Sequence, residues 1–174
     1  VPEVLQFSPI GLEGFEGSIV YGLKQNGVPH VDLLPQGRGI LLVEFGSDNA
    51  SETEAIANNL VEHVGRAVTP PTARIYSKHE ARHVWHLREA GPRAAAFAPG
   101  AVPEWEGWDD AAVAPEKLGV YLRGIRALMN ESNYRGAFYG HFRGGGIHIR
   151  VRLGPQRARG VRRCAACVWA GGGV

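Results

Sequence analysis

Two histidines near the end of the chain, His141 and His148, flank the glycine-rich segment Arg143-Gly144-Gly145-Gly146. Imidazole is the commonest protein ligand for a transition metal, and a glycine turn lets side chains that are distant along the chain converge. The spacing therefore predicts a site for a metal ion or an anionic substrate. A glycine-rich hairpin with two incidental histidines is the alternative, and the spacing alone does not decide between the two.

A second motif, His79-Glu80-Ala81-Arg82-His83, has the H-E-x-x-H pattern of zinc hydrolases. On a helix the two histidines share one face, where they could hold zinc while Glu80 activates a water molecule. The same spacing also arises by chance on the solvated face of a helix whose opposite face carries Val84 and Leu87. The solvated face is the favoured interpretation, and a zinc hydrolase is kept as an alternative hypothesis.

Arg88 follows in the same segment, between the apolar Leu87 and the acidic Glu89. A guanidinium held near the apolar side of a helix is a rigid, two-pronged cation of the kind that binds a substrate carboxylate. A surface ion pair between Arg88 and Glu89 is the alternative, because most arginines lie at the surface.

The chain has 174 residues, of which 44% are hydrophobic and 21% charged, as expected of one ordinary globular domain. It contains no apolar run near the ~20 residues that cross a bilayer. The start of the sequence lacks the order of a signal peptide. We therefore expect a cytoplasmic protein without a transmembrane segment.

The last part of the chain is basic, since no acidic residue follows Glu131. Eight arginines lie in it: Arg135, Arg143, Arg150, Arg152, Arg157, Arg159, Arg162 and Arg163. Without a recognisable nucleic-acid module around it, this arm predicts no nucleic-acid partner, and a noncatalytic domain that binds an acidic partner through the tail is a further alternative. Cys164 and Cys167 form a solitary C-x-x-C pair, interpreted as incidental.

Periodicity and turn residues predict the elements that position these side chains. Leu12, Phe15, Ile19, Val20 and Leu23 recur at helical spacing and predict one helix in residues 1–38, interpreted as a connecting segment. The other predicted elements are strands at residues 39–45, 74–76, 105–113, 137–141 and 147–153 and helices at residues 51–67, 79–89 and 115–129. Pro70-Pro71 and Gly91-Pro92 are predicted to end the helices that precede them.

This order of elements predicts an α+β fold, an antiparallel sheet with helices packed on one face, of the ferredoxin-like type. The domain proper is expected at residues 39–153. Residues 154–174, where periodicity disappears, are predicted to form an irregular basic tail.

Four segments in order resemble the C-terminal domain of FAD-linked oxidases. They are Leu42-Val43-Glu44-Phe45-Gly46, Trp85-His86-Leu87-Arg88-Glu89, the segment from Trp105-Glu106-Gly107-Trp108 to Leu118, and the segment from Tyr139-Gly140-His141 to His148. The resemblance covers roughly residues 5 to 153. Members of this family are flavoproteins of the D-lactate dehydrogenase, glycolate oxidase and D-2-hydroxyglutarate dehydrogenase type. The Glu-Gly-Trp sequence of the third segment looks like the long bacterial form, which is fused to an iron–sulfur module.

This resemblance implies a cap domain that is inactive alone and works with an N-terminal domain holding the FAD. A small 2-hydroxy acid would give hydride from its α carbon to the flavin, and a downstream acceptor would take the electrons. In such an enzyme Arg88 would bind the substrate carboxylate, and His141 and His148 would bind a divalent metal such as zinc. The family's third metal ligand, a glutamate, and the iron–sulfur cluster would lie elsewhere in the parent protein.

Overall fold

A five-stranded antiparallel sheet forms the centre of the protein in the computed structural model, which describes residues 1–96, 104–131 and 133–152. In chain order the elements are α1 (Pro2–Leu5), β1 (Gly11–Glu16), α2 (Gly17–Gln25), a short 3₁₀ helix (Val31–Leu33), β2 (Gly39–Glu44), α3 (Ala50–Gly65), α4 (Lys78–Ala96), β3 (Glu104–Ala112), α5 (Leu118–Glu131), β4 (Arg135–Gly140) and β5 (Gly146–Arg152). The strand order is β2-β1-β4-β5-β3, and every neighbouring pair is antiparallel. The predicted α+β class with an antiparallel sheet is confirmed.

Two hydrophobic clusters lie on opposite faces of this sheet. The neighbouring β4 residues Ala137 and Phe138 belong to different clusters, because successive side chains of a strand point to opposite faces. Helix α5 packs on the Phe138 side, the α5 face, and helices α2 and α4 cover the Ala137 side, the α4 face. Helices thus cover both faces, where the sequence had predicted one covered face.

Strand β1 comes from the segment in which the sequence predicted only a helix. Leu12 and Phe15 lie in β1, which pairs with both β2 and β4, and the helix begins at Gly17. The helical prediction is wrong for these two residues. Their spacing of three places them on opposite faces of a strand, so each packs in a different cluster. The helix ends at Gln25, and Asn26 is its C-cap.

Helix α4 continues past the predicted stop at Gly91-Pro92 and ends at Ala96. Gly91 is buried, and a Cβ atom placed on it would lie 2.7 Å from Cγ2 of Ile19 in α2. This glycine therefore permits close packing of α4 on α2, which the sequence pattern could not distinguish from a helix stop. Pro92 is part of the helix although it has no backbone N–H to donate to a carbonyl of the preceding turn.

Two smaller predictions also differ from the structure. Residues 74–76 form no strand in the described segment between α3 and α4, where the Tyr76 hydroxyl donates to the Leu33 carbonyl at 2.6 Å. Helix α3 begins at Ala50, one residue before the predicted start, and its N-cap is Asn49, whose side chain accepts from the Ser51 amide. Residues 97–103 and the predicted basic tail with Cys164 and Cys167 lie outside the described residues.

Candidate functional site

The register of three strands brings several polar and aromatic side chains together on the α4 face. Strands β1 and β4 place Phe15 opposite Tyr139, so the next pair on the same face is Glu13 opposite His141. Strands β4 and β5 place Tyr139 opposite His148. A single patch at the end of β4 therefore contains Glu13 and both histidines of the glycine-turn motif.

Arg88 reaches this patch from helix α4. The helix is anchored by Leu87, which is 1% exposed in the core of the α4 face. Arg88 Nε donates to Glu13 Oε2 at 2.9 Å, and Nη2 donates to the same oxygen. Its partner is thus a strand residue 75 positions away rather than the adjacent Glu89, and the surface ion pair considered from the sequence is replaced by a partly buried one.

His141 contacts both members of this ion pair through one ring nitrogen. Its Nδ1 lies 2.9 Å from Glu13 Oε1 and 3.0 Å from Arg88 Nη2. The side chain of His141 is 58% exposed, whereas that of Glu13 is 12% exposed. One edge of the imidazole is therefore fixed by the protein, while more than half of the side chain is exposed to solvent.

His148 extends the patch beside His141. Its ring stacks on Tyr139, with centroids 5.0 Å apart and an interplanar angle of 24°. The rings of His141 and His148 meet edge to face, with centroids 5.5 Å apart. Stacking on a strand-borne tyrosine restricts the orientation of His148, so both imidazoles are held rather than free to rotate.

The glycine turn between the two histidines has little freedom to vary. Gly145 has φ +76°, and a Cβ atom on it would lie 1.7 Å from the Val113 carbonyl oxygen. Arg143 ties the turn to the start of β1, since its amide donates to the Leu12 carbonyl at 3.1 Å and its Nε to the Pro9 carbonyl at 2.9 Å. The turn therefore holds β4 and β5 in the register that places the histidines together.

The three residues that the sequence selected, Arg88, His141 and His148, lie together, and their roles stay predictions. Sequence reasoning missed Glu13, which connects two of them. A signal for a strand was present, because Glu13 and Phe15 are two positions apart, the spacing of residues on one face of a strand. A carboxylate on a buried face requires a cationic partner, but the helical interpretation of this segment hid the problem.

The comparison with protein families gives one match. The model of the family described as FAD linked oxidases, C-terminal domain, matches residues 16–168. This chain belongs to that family. A search among curated proteins found no match.

Membership makes this FAD-linked oxidase domain part of a flavin-dependent oxidoreductase. As the C-terminal domain of such an enzyme, it works beside an FAD-binding domain that is N-terminal to it. None of the helices in the described ranges is long and apolar enough to cross a membrane.

In the H-E-x-x-H motif of this oxidase domain, Glu80 takes part in the N-terminal cap of helix α4. Glu80 accepts hydrogen bonds from the amide and the hydroxyl of Ser77, and Arg74 pairs with it at 2.6 Å. The bonds between Glu80 and Ser77 form a capping box, in which the glutamate stabilises the first turn of the helix. They lower the pKa of the Glu80 carboxyl, with the backbone hydrogen bond from Ser77 as the largest cause. The arrangement leaves Glu80 occupied in the helix cap, which does not suit the base of a hydrolase.

The histidines of that motif pack against another histidine. The rings of His30 and His83 have centroids 4.0 Å apart, and those of His79 and His83 are 5.0 Å apart. Partial burial and then the charges of His30 and His79 lower the pKa of His83. Among the residues that the structure describes, no group of three or more His, Cys, Asp or Glu side chains could hold a metal ion.

A groove of about 980 Å³ lies away from the patch and contains none of its residues. Arg126 lies in its lining, stacks over Phe138 at 4.1 Å and pairs with Glu16. These contacts fit a structural role for Arg126. The candidate site is instead the open patch on the α4 face, as expected of a surface completed by another domain.

Proposed function

We propose that this domain supplies the substrate-binding side of an FAD-dependent 2-hydroxy-acid dehydrogenase or oxidase. The observation that carries the proposal is the convergence of Arg88, His141 and His148 on one partly open patch of the α4 face. A fixed guanidinium beside two imidazoles matches a substrate that bears a carboxylate next to a hydroxyl. FAD held by the N-terminal domain would supply the hydride-accepting chemistry beside this patch.

Arg88 binds the carboxylate in this proposal. Glu13 accepts from its Nε and Nη2, and Nη2 also lies 3.0 Å from Nδ1 of His141, so Nη1 is the terminal nitrogen that neither residue uses. Nη1 would donate to the substrate carboxylate in a charge-assisted hydrogen bond. Because Glu13 already fixes the other edge of the guanidinium, little side-chain entropy is lost when the substrate binds.

His141 and His148 bind a divalent metal such as zinc in this proposal. Nδ1 of His141 has a carboxylate partner, which leaves Nε2 for a metal, and metal-bound histidines characteristically have such a partner on the other nitrogen. Two imidazoles fit half of a zinc site, which uses three or four protein ligands, so the remainder would come from outside the described residues. The metal, when bound, would polarise the substrate hydroxyl.

The exposure of the patch supports a role at a domain interface. With 58% of its side chain exposed, His141 is accessible to a substrate and to a second domain. A site of this kind excludes water only when the FAD-binding domain covers it. The isolated domain is therefore proposed to bind no FAD and to show no turnover. The iron–sulfur module and the electron acceptor stay predictions from the resemblance, and the cytoplasmic location stays a prediction from the sequence.

Zinc binding tests the metal part of the proposal. Isothermal titration with zinc should show binding by the unmodified chain and its loss in His141→Ala and in His148→Ala. His79→Ala and His83→Ala are matched controls on α4 and should bind zinc normally. Loss of binding in these two variants alone would instead support the hydrolase alternative.

Substrate binding tests the role of Arg88. Titration of the ¹⁵N-labelled chain with D-lactate and zinc should shift the signals of Arg88 and His141. Arg88→Ala should abolish the shifts, and Arg82→Ala, an exposed arginine of the same helix, should preserve them. Shifts of equal size in both variants would contradict the assignment of Arg88.

A further inference from the structure

We infer that Glu13 is a positioning residue that holds Arg88 and His141 in their binding orientations, an inference that rests on the proposed function. Glu13 lies on β1, has a side chain that is 12% exposed, and uses both carboxylate oxygens within the patch. Oε2 accepts from Arg88 and Oε1 faces His141. One carboxylate thereby sets the geometry of a substrate ligand and a metal ligand.

The first step concerns Arg88. Two of its donors converge on one oxygen of Glu13, from the Nε edge of the guanidinium. This contact fixes the plane of the group, because a guanidinium is rigid and its donors are coplanar. Nη1, which Glu13 does not use, is the nitrogen left for another carboxylate, while Nη2 also contacts Nδ1 of His141.

The second step concerns the proton on His141. Its Nδ1 contacts an acceptor, Glu13 Oε1, and a donor, Arg88 Nη2, and a ring nitrogen can satisfy only one of them. A carboxylate oxygen that faced a nitrogen lone pair at 2.9 Å would be repelled, whereas an N–H directed at that oxygen forms a hydrogen bond. Nδ1 therefore carries the hydrogen and donates it to Glu13.

This assignment has a consequence for metal binding. With the proton on Nδ1, the lone pair of neutral His141 is on Nε2, the nitrogen that is left to coordinate a metal. Without Glu13, imidazole favours the opposite tautomer, and Arg88 would donate to the bare Nδ1. Glu13 thus decides which nitrogen of His141 is available.

Glu13→Gln provides a test that hardly changes the shape of the side chain. The amide should direct its oxygen to the cationic Arg88 and its NH₂ group to Nδ1 of His141, which would move the ring proton to Nε2. Long-range ¹H–¹⁵N spectra of the chain labelled in histidine report the tautomer directly, and His141→Ala identifies the signal. Zinc affinity should fall by about 10–100-fold.

Glu16→Gln is the matched control. It removes the same charge from the same strand and breaks a comparable ion pair, that of Glu16 with Arg126. The side chain of Glu16 lies on the α5 face, opposite to that of Glu13, because successive residues of a strand point to opposite faces. The tautomer of His141 should be unchanged in this variant. An amide spectrum of each variant shows whether it has folded.

The unmodified chain alone can overturn the inference, since neutral His141 found with its proton on Nε2 would exclude the role of Glu13. A folded Glu13→Gln variant that keeps the proton on Nδ1 would also exclude it. Failure of the proposed function gives a different result. In that case His141→Ala and His148→Ala would bind zinc as before, while the tautomer would still depend on Glu13.

Discussion

Arg88 on helix α4 and Glu13 on strand β1 are 75 residues apart and form a hydrogen-bonded ion pair whose side chains are 21% and 12% exposed. The pair connects helix α4 to an internal strand of the sheet, so it contributes to the fold as well as to the candidate site. A partly buried pair of this kind is costly to break because the remaining charge stays largely buried without its counter-ion.

Arg88→Ala is expected to lower the free energy of unfolding by about 3 kcal/mol, because it leaves the carboxylate of Glu13 buried without its cation. Urea denaturation measures this change. Arg82→Ala, at an exposed position of the same helix, should change the free energy by less than about 0.5 kcal/mol. The double variant Glu13→Gln with Arg88→Met should be more stable than Arg88→Ala, and equal losses in both would show that the pair is uncoupled.

Gly145→Ala should destabilise the turn between β4 and β5 by about 1–3 kcal/mol. The position has φ +76°, and the new Cβ atom would meet the Val113 carbonyl oxygen. Gly144→Ala is the control, since a Cβ atom there meets nothing within 4 Å. Thermal unfolding of both variants checks the prediction, which fails if the two melt at the same temperature.

Acid should weaken the start of α4 through Glu80. The capping bonds hold the pKa of this carboxyl below its ordinary value of 4.5, so their contribution is complete above that pH and is lost as the pH falls through the lowered pKa. Glu80→Gln keeps an acceptor oxygen without a titrating group and should remove this part of the acid response. Urea midpoints measured across the acid range check it, with Glu89→Gln as the control. An unchanged response in Glu80→Gln would contradict the prediction.

His30→Gln should raise the pKa of His83 without restoring its ordinary value. Partial burial is the largest cause of the lowered pKa, and the charge of His30 is the next. A pH titration of the histidine ring signals by NMR measures the change. His63→Gln, on helix α3, should leave the titration of His83 unaltered. A His83 pKa that is equal in the His30→Gln variant and the original chain would show that His30 has no such influence.

Local patterns in the sequence predicted most of the elements. The stripe of Leu118, Tyr121 and Ile125 gave α5, and the apolar alternation around Ile147 and Ile149 gave β5, because each pattern repeats with the period of one element. The pattern failed where β1 passes directly into α2, since a strand followed by a helix imitated the spacing of a longer helix. It failed again at Gly91, where close packing between two helices requires a glycine.

Residue types and local motifs also selected Arg88, His141 and His148, which the fold brings to one patch. Glu13 escaped selection because it lies 75 residues from Arg88 and 128 from His141. Contacts across such separations depend on strand register, which follows from the packing of both sheet faces. The H-E-x-x-H motif shows the reverse case, since its pattern suggested chemistry and its Glu80 caps a helix.

The sequence by itself determined the elements with clear periodicity, the α+β class and the side chains capable of binding an anion or a metal. These properties depend on neighbours within a few positions along the chain. Tertiary structure decided that β1 belongs inside the sheet, that Arg88 pairs with Glu13 and that both histidines share their patch. The physical reason is that strand pairing and helix packing fix distances between residues whose separation along the chain carries no such information.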